Sequence, residues 1–424
     1  MTKASNISIQ EIVNLSFQKY ILPKSIRQQM HLYLTKQKHH ASGSYKCFDW
    51  FKIIILVTAF YNASPAKAQF LHKLNTSNLL LEGRTNYGFL INHHLEMQVF
   101  NAHFMSFEVN LGGETYGKKR WEAMYAYPIV GISYWYSNLG NSEFIGRANA
   151  LFPYINFPLT RREKYEFNFR LGGGLGYLTK HFDRLTNYKY LAIGSHMNAA
   201  INLMFEIRCR PTPRTQVSAG IAMMHFSNGS LKTPNYGINI PSASLSIAYH
   251  LTKANATVNH KMLPDLTKFE FDGRKNVDLD MVGAFGMKDI SEYGNRYYVY
   301  TLSGNVFKTV SYKSKVGIGF DLFYDKSDLR KAELEQIFIT RNSQILKPGA
   351  NLGYQLNLSR TSFVFNLGFY LGGMMAHLGT SYYKVGMRVM LSRNVFASLM
   401  LKTHFARADY IGLGLGYKLN LIYY

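Results

Sequence analysis

From about Thr85 onward, apolar and polar residues alternate along segment after segment of the chain. Phe104–Leu111 sets Met105, Phe107, Val109 and Leu111 on one face and Ser106, Glu108 and Asn110 on the other. Tyr165–Leu171 opposes Tyr165, Phe167, Phe169 and Leu171 to Glu166, Asn168 and Arg170. The last such segment alternates Leu413, Leu415, Tyr417, Leu419, Leu421 and Tyr423 with Gly412, Gly414, Gly416, Lys418 and Asn420. A period of two is that of a β-strand, whose side chains point alternately to opposite faces. A soluble sandwich alternates in the same way with its apolar face inward. A bulky apolar face opposite a charged or glycine face also suits a membrane barrel, with lipid outside and a packed or wet lumen inside. Strands of about 9–11 residues and aromatics at strand ends favour the barrel.

The pattern predicts sixteen strands in two sets of eight. The first set covers 85–92, 104–111, 128–137, 146–158, 165–178, 196–208, 214–227 and 242–252. The second covers 278–288, 297–309, 314–325, 348–358, 361–374, 382–391, 394–405 and 410–424. The sets echo each other: Tyr165–Tyr177 resembles Ser362–Gly373 in position and style, and Met224–Phe226 resembles Thr403–Phe405. Between them, Thr252–Val277 is polar and without a clear period. Such a connection is far longer than the short periplasmic turns of one barrel. The expected fold is therefore all-β, a transmembrane up-and-down antiparallel β-barrel duplicated into two eight-stranded halves. Tandem small barrels are favoured, with a single sixteen-stranded barrel as the alternative.

The N-terminal region reads as an address. Phe51–Tyr61 is a largely apolar run of signal-peptide length, with Lys46 before it and Lys52 at its start, followed by Ala66-Lys67-Ala68 before Gln69. Small residues at Ala66 and Ala68 suit signal-peptidase cleavage after Ala68. The run is well short of the ~20 residues a spanning helix needs. The preceding fifty residues are long for such a leader, and a start at Met30 would explain them most simply. The expected organisation is a leader (1–68), a first barrel half (69–252), a linker (253–277) and a second barrel half (278–424). The closing aromatic, Tyr424, resembles the C-terminal signature of bacterial outer-membrane barrels.

Composition sharpens this picture. Of 424 residues, 17% are charged, and 31 Tyr and 29 Phe exclude a disordered chain. The net charge of +23 would suggest nucleic acid, but the basic residues are scattered rather than gathered on a helix or stripe. Seven of those charges belong to residues 1–68, leaving +16 for the mature chain. An anionic lipid surface replaces nucleic acid as the expected partner. The leader also takes away Cys47, so Cys209 is left without an intramolecular disulfide partner.

Most catalytic motifs are missing: there is no GxSxG elbow, HExxH or Walker loop. Glycine runs at Gly172–Gly176 and Gly412–Gly416 lie inside strands, where barrel-interior packing explains them better than a nucleotide loop. No ligand cluster for a metal and no cofactor motif is present. The segment Met224–Ile240 (MHFSNGSLKTPNYGINI) differs. His225 and Ser227 continue the parity of Val217, Ala219, Ile221 and Met223, the lipid face. Two residues apart on one strand face, an imidazole and a hydroxyl stand side by side, as a base and nucleophile must. An imidazole turned toward lipid costs free energy unless it has a partner or a use. A histidine at a strand end among lipid headgroups is the simpler alternative.

His225-Phe226-Ser227-Asn228, followed by Lys232, Pro234-Asn235 and Gly237, resembles the signature of the PagL-type lipid A deacylases, also described as acyloxyacyl hydrolases. The resemblance covers the first half, about 85–252. It implies an eight-stranded outer-membrane barrel with an active site on its outer wall, facing lipopolysaccharide and other outer-membrane lipids. Carried over, His225 is the general base and Ser227 the nucleophile. Asn235 and the backbone of Asn228, Gly229 and Ser230 would hold the oxyanion. The family's third member is a Glu fourteen residues after the His; here that position is Asn239. Asn239 shares the lipid-facing parity of Ala243, Leu245 and Ile247, and its carbonyl oxygen can fix the histidine tautomer without supplying a charge. In the second half, His404 is followed by Ala406 and Arg407 where a nucleophile and Asn228 would fall, so no second site is expected. Lys118, Lys119 and Arg120 are expected contacts for lipid A phosphates. The implied function is an esterase of the bacterial outer membrane that removes an ester-linked acyl chain from lipid A. The alternative is an inactive barrel serving as a pore or scaffold.

Overall fold

The computed structural model describes residues 78–91, 94–160, 164–251, 276–291, 294–373, 380–405 and 407–422. The expected leader, nearly all of the expected linker and Tyr424 lie outside the described residues. The first eight strands are β1 (Leu79–Phe89), β2 (His103–Glu114), β3 (Ile129–Ser137), β4 (Ala148–Pro158), β5 (Tyr165–Leu178), β6 (Met197–Cys209), β7 (Thr215–Ser227) and β8 (Ile238–His250). The second eight are β9 (Asn276–Asp289), β10 (Arg296–Thr309), β11 (Ser314–Asp325), β12 (Leu346–Leu358), β13 (Thr361–Tyr370), β14 (Ser381–Met390), β15 (Val395–His404) and β16 (Arg407–Ile422). Two short helices sit in connections, α1 (Arg120–Met124) and α2 (Ser327–Leu334).

Each half closes on itself. β1 pairs antiparallel with β2 on one side and β8 on the other, and β9 pairs likewise with β10 and β16. The chain is thus two transmembrane eight-stranded barrels in tandem, and the sixteen-stranded alternative is excluded by the β1–β8 closure. Closure matters because an open strand edge in hydrocarbon would leave its N–H and C=O groups without partners.

Two strand starts differ by four residues or more from the pattern-based expectation. β1 begins at Leu79 rather than 85, since three consecutive leucines hide the alternation there. Leu80 points into the barrel and Leu81 out of it. β8 begins at Ile238 rather than 242 because Pro241 looks like a strand breaker. Pro241 in fact pairs with Met223 of β7 just beyond Ser242, where the ladder to β1 has ended. With one neighbour at that point, a missing N–H is tolerated.

The inward faces carry many polar and charged residues that are buried. In the first barrel Arg84 joins Glu82 and Glu206, each at 2.6 Å, and Arg208 holds Glu206 at 2.8 Å. Arg170, fully buried, lies 3.2 Å from Glu108, donates to Asn110 Oδ1 at 3.0 Å and stacks over the Tyr154 ring at 4.0 Å. In the second barrel Arg388 meets Asp280 at 2.7 Å, and Lys384 is paired with Asp321. The glycine faces of its strands do not open a lumen. A Cβ at Gly416 would lie 2.2 Å from Phe396, and one at Gly368 would lie 2.1 Å from Tyr382. At these positions bulky rings fill the space the glycines leave, in keeping with the interior packing expected of the glycine runs. Outside, Ile221, Leu245, Ile318 and Leu413 are all more than 60% exposed, as a lipid-facing wall requires.

Breaking a buried ion pair leaves one charge stranded at a cost of about 3–5 kcal/mol, whereas replacing both members by apolar residues is near neutral. Arg170→Ala is therefore expected to lower the unfolding free energy by about that amount. Arg170→Met combined with Glu108→Leu should recover most of the loss. Denaturant titration of the detergent-solubilised chain, followed by the fluorescence of buried Trp135, measures both. A single variant as stable as wild type would contradict this account of the lumen.

Candidate active site

His225 and Asn239 face each other directly across the β7–β8 ladder. The register follows from the faces: Ala222, Met224 and Phe226 turn into the barrel, and Met223, His225 and Ser227 turn out. Asn239 Oδ1 accepts a hydrogen bond from His225 Nδ1 at 2.7 Å. An amide oxygen can only accept, so this contact puts the proton on Nδ1 and the accepting lone pair on Nε2. That is the tautomer a general base needs. His225, Ser227 and Asn239 are all half-buried on the outer wall.

The loop after Ser227 is tied down at several points. Ser227 ends β7, and Asn228–Leu231 follows as a tight turn closed by Leu231 N–H on Asn228 O at 3.2 Å. Both central residues of the turn, Gly229 (φ +61°) and Ser230 (φ +64°), adopt the left-handed region. The Asn228 side chain is buried and donates to Ser195 Oγ at 2.9 Å and to Lys232 O at 2.8 Å. Asn235 Oδ1 accepts from the Asn228 N–H at 3.0 Å. Asn235 therefore braces the turn through its oxygen, and what it can offer an oxyanion is its Nδ2–H group.

Sequence reasoning missed several supports. Gly237 (φ +84°) lets the chain pass close beneath the imidazole: a Cβ there would sit 3.0 Å from His225 Cε1. The Gly237 N–H donates to Ala192 O at 2.9 Å, and Ile91 N–H to Asn239 O at 3.0 Å. The Tyr236 ring stacks on His94 with centroids 4.1 Å apart. Gly237 was legible in the motif, but nothing in the local pattern marks Ile91, His94, Ala192 or Ser195.

Lys118, Lys119 and Arg120 are not near this site. They precede or open α1, between β2 and β3, at the barrel end where β7 begins. Ser227 lies where β7 ends, some 40 Å of strand away at about 3.3 Å per residue. In an up-and-down barrel the second and seventh connections necessarily lie at opposite ends, so counting strands exposes the error. Arg120 instead stacks over the Tyr312 ring at 4.4 Å. Among the described residues of the first barrel, the Lys and Arg side chains exposed at the Ser227 end are Arg147, Lys180, Arg184, Lys189 and Lys232.

In the second barrel, Lys402 is buried inside, next to a register shift at Lys402/Thr403, and His404 meets the Tyr370 hydroxyl at 3.0 Å. Ala406 lies outside the described residues. Among the described residues no group of His, Cys, Asp and Glu is arranged to hold a metal ion.

A family model described as lipid A 3-O-deacylase (PagL) matches residues 105–248, and one described as acyloxyacyl hydrolase, C-terminal domain, matches residues 277–421. Each barrel thus matches a model of the PagL type. The PagL match spans β2 to β8 and includes His225, Ser227, Asn235 and Asn239. The second barrel is matched by the C-terminal-domain model, so the likeness extends beyond the first half. Among solved structures, the outer membrane enzyme PagL is 14% identical, with 39% of this chain and 97% of that chain covered at a TM-score of 0.28. Neisserial surface protein A is 9% identical, with 41% and 96% covered at a TM-score of 0.29. No curated protein matches the chain.

The His225–Asn239 bond predicts a single neutral tautomer. Imidazole 15N–1H correlation spectra of the full chain in detergent micelles should show His225 protonated at Nδ1. Asn239→Ala should release the ring to a mixture of tautomers. An Nε2–H ring in the wild type would contradict the geometry.

Proposed function

We propose that this PagL-family barrel is an esterase of the bacterial outer membrane that removes an ester-linked fatty acyl chain from lipid A. The observation that carries the reading is the bond from His225 Nδ1 to Asn239 Oδ1, made on a lipid-facing wall beside an outward-facing serine. Polar side chains on a surface meant for hydrocarbon cost free energy unless they have a partner or a use. A substrate whose acyl chains stay in the bilayer reaches an outer-wall site without leaving the membrane.

In this reading the Ser227 hydroxyl attacks the ester carbonyl as His225 Nε2 takes its proton. The tetrahedral oxyanion is met by backbone N–H groups of the Gly229–Ser230 turn and by Asn235 Nδ2. His225 returns the proton to the departing sugar hydroxyl, leaving the acyl chain on Ser227. Water, activated by the same base, then releases the fatty acid. Asn239 fixes the tautomer but carries no charge to stabilise the imidazolium, so the proton transfer is less assisted than with a carboxylate. Arg147, Lys180, Arg184, Lys189 and Lys232, exposed at the same end, suit the phosphates of lipid A.

Mass spectrometry of lipid A from cells expressing the wild type should show species lighter by one acyl chain. Ser227→Ala should abolish them. A correctly placed base contributes about 10²–10⁴ in rate, and Asn239→Ala should give up part of that, about tenfold or more. Asn239→Glu should exceed the wild-type rate by restoring a charge beside the imidazole. Lipid A that is unchanged by the wild type, or still cut by Ser227→Ala, would defeat the reading.

A further inference from the structure

The turn that follows Ser227 is held by the other barrel. Ser230 Oγ donates to Ala408 O of β16 at 2.7 Å, and the Asp289 N–H at the end of β9 donates to Ser230 O at 2.8 Å. Gly229 lies so close to β16 that a Cβ there would sit 2.4 Å from both Cγ1 and Cδ1 of Ile411. At the opposite end, Tyr125 Oη donates to Asn357 O at 2.9 Å, and Lys313 lies 5.0 Å over the Tyr125 ring. The barrels therefore touch at both ends, and at one of them the contact is the turn adjoining the nucleophile.

The sequence of the turn fits this contact better than it fits an isolated hairpin. A turn with two positive-φ centres prefers glycine at the second of them, yet Ser230 occupies that place and spends its hydroxyl on the second barrel. Glycine stands at the first, where Ile411 leaves no room for a side chain.

Resting on the esterase reading above, we propose that the second barrel is a positioning element for catalysis: Ile411, the Asp289 N–H and the Ala408 carbonyl hold the Gly229–Ser230 turn where its N–H groups can receive the oxyanion. Hairpin loops are ordinarily the mobile parts of a barrel, whereas oxyanion donors must be fixed before the reaction. Three contacts from a rigid neighbouring wall convert the one into the other. The second barrel lacks a nucleophile of its own at the corresponding place, and this role explains its retention in the same chain. Ile411, Asp289 and Ala408 touch no reacting atom, so they are positioning residues rather than catalytic ones.

The test uses the full chain in detergent micelles with purified lipid A as substrate. Ile411→Ala removes the contact, Ile411→Trp crowds Gly229, and Ile411→Val is the conservative control. A small displacement of catalytic groups costs up to about 100-fold in rate, and a drop of about tenfold in kcat is expected for the Ala and Trp variants. KM should stay within about twofold, since the acyl-binding wall is untouched. Hydrogen exchange of the 228–238 segment should quicken in both variants while exchange in β1–β6 is unchanged, and Ile411→Val should match wild type in both readouts. The proposal is overturned if exchange of this segment is unaffected by either variant, or if it quickens while kcat holds. Ser227→Ala, run in parallel, separates the two levels. If it is as active as wild type, the serine mechanism fails and exchange alone decides whether the second barrel holds the turn.

Discussion

A strand that crosses hydrocarbon can send its backbone N–H and C=O groups only to neighbouring strands, and the rest of this molecule depends on that restriction. It forces each set of eight strands to close, β1 onto β8 and β9 onto β16. Closure in turn assigns every residue to one of two environments with opposite chemistry. Lumen positions carry Arg, Glu, Asp, Lys and Asn in mutual contact; wall positions carry Leu, Ile, Val and aromatics. The lumen ion pairs survive burial because nearly every charge has a partner and hydrogen bonds around it, as Arg84 does with Glu82, Glu206 and Ser244.

Against that division, a polar residue on the wall is conspicuous and must be accounted for. His225, Ser227 and Asn239 break the rule together: His225 lies opposite Asn239 in the β7–β8 ladder and is hydrogen-bonded to it, and Ser227 follows two residues on along the same face. Scattered polar residues near strand ends would be unremarkable at a headgroup boundary. A histidine bonded to an amide oxygen, two residues before a serine on the same face, is the arrangement on which the proposed proton transfer rests. The cost of placing these groups in the wall is offset locally by the Asn239 bond and by the packing of Gly237 against the ring.

Much of this was legible in the residues. Period-two alternation located fourteen of the strands closely and both faces of each, because side-chain direction in a strand is fixed by geometry rather than by context. The His225–Asn239 pairing was foreseeable from shared parity alone. What escaped was of two kinds. Leu79–Leu81 and Pro241 obscured strand starts, because neither a run of leucines nor a proline shows its orientation without its neighbours. The bonds of Ser230 to Ala408 and Asp289 join residues far apart in the chain, and no local pattern encodes them. Placing Lys118–Arg120 at the site was a different failure, since the order of the strands already put that connection at the wrong end.

The central claim is that an outward-facing serine on β7 is made nucleophilic by the histidine two residues before it. Covalent labelling tests this without reference to any particular substrate. The full chain is incubated in micelles with a lipid-tailed fluorophosphonate, digested, and mapped by mass spectrometry. The account predicts one adduct, on Ser227, lost in His225→Ala. An unlabelled Ser227, or labelling that persists at the same rate without His225, would contradict it.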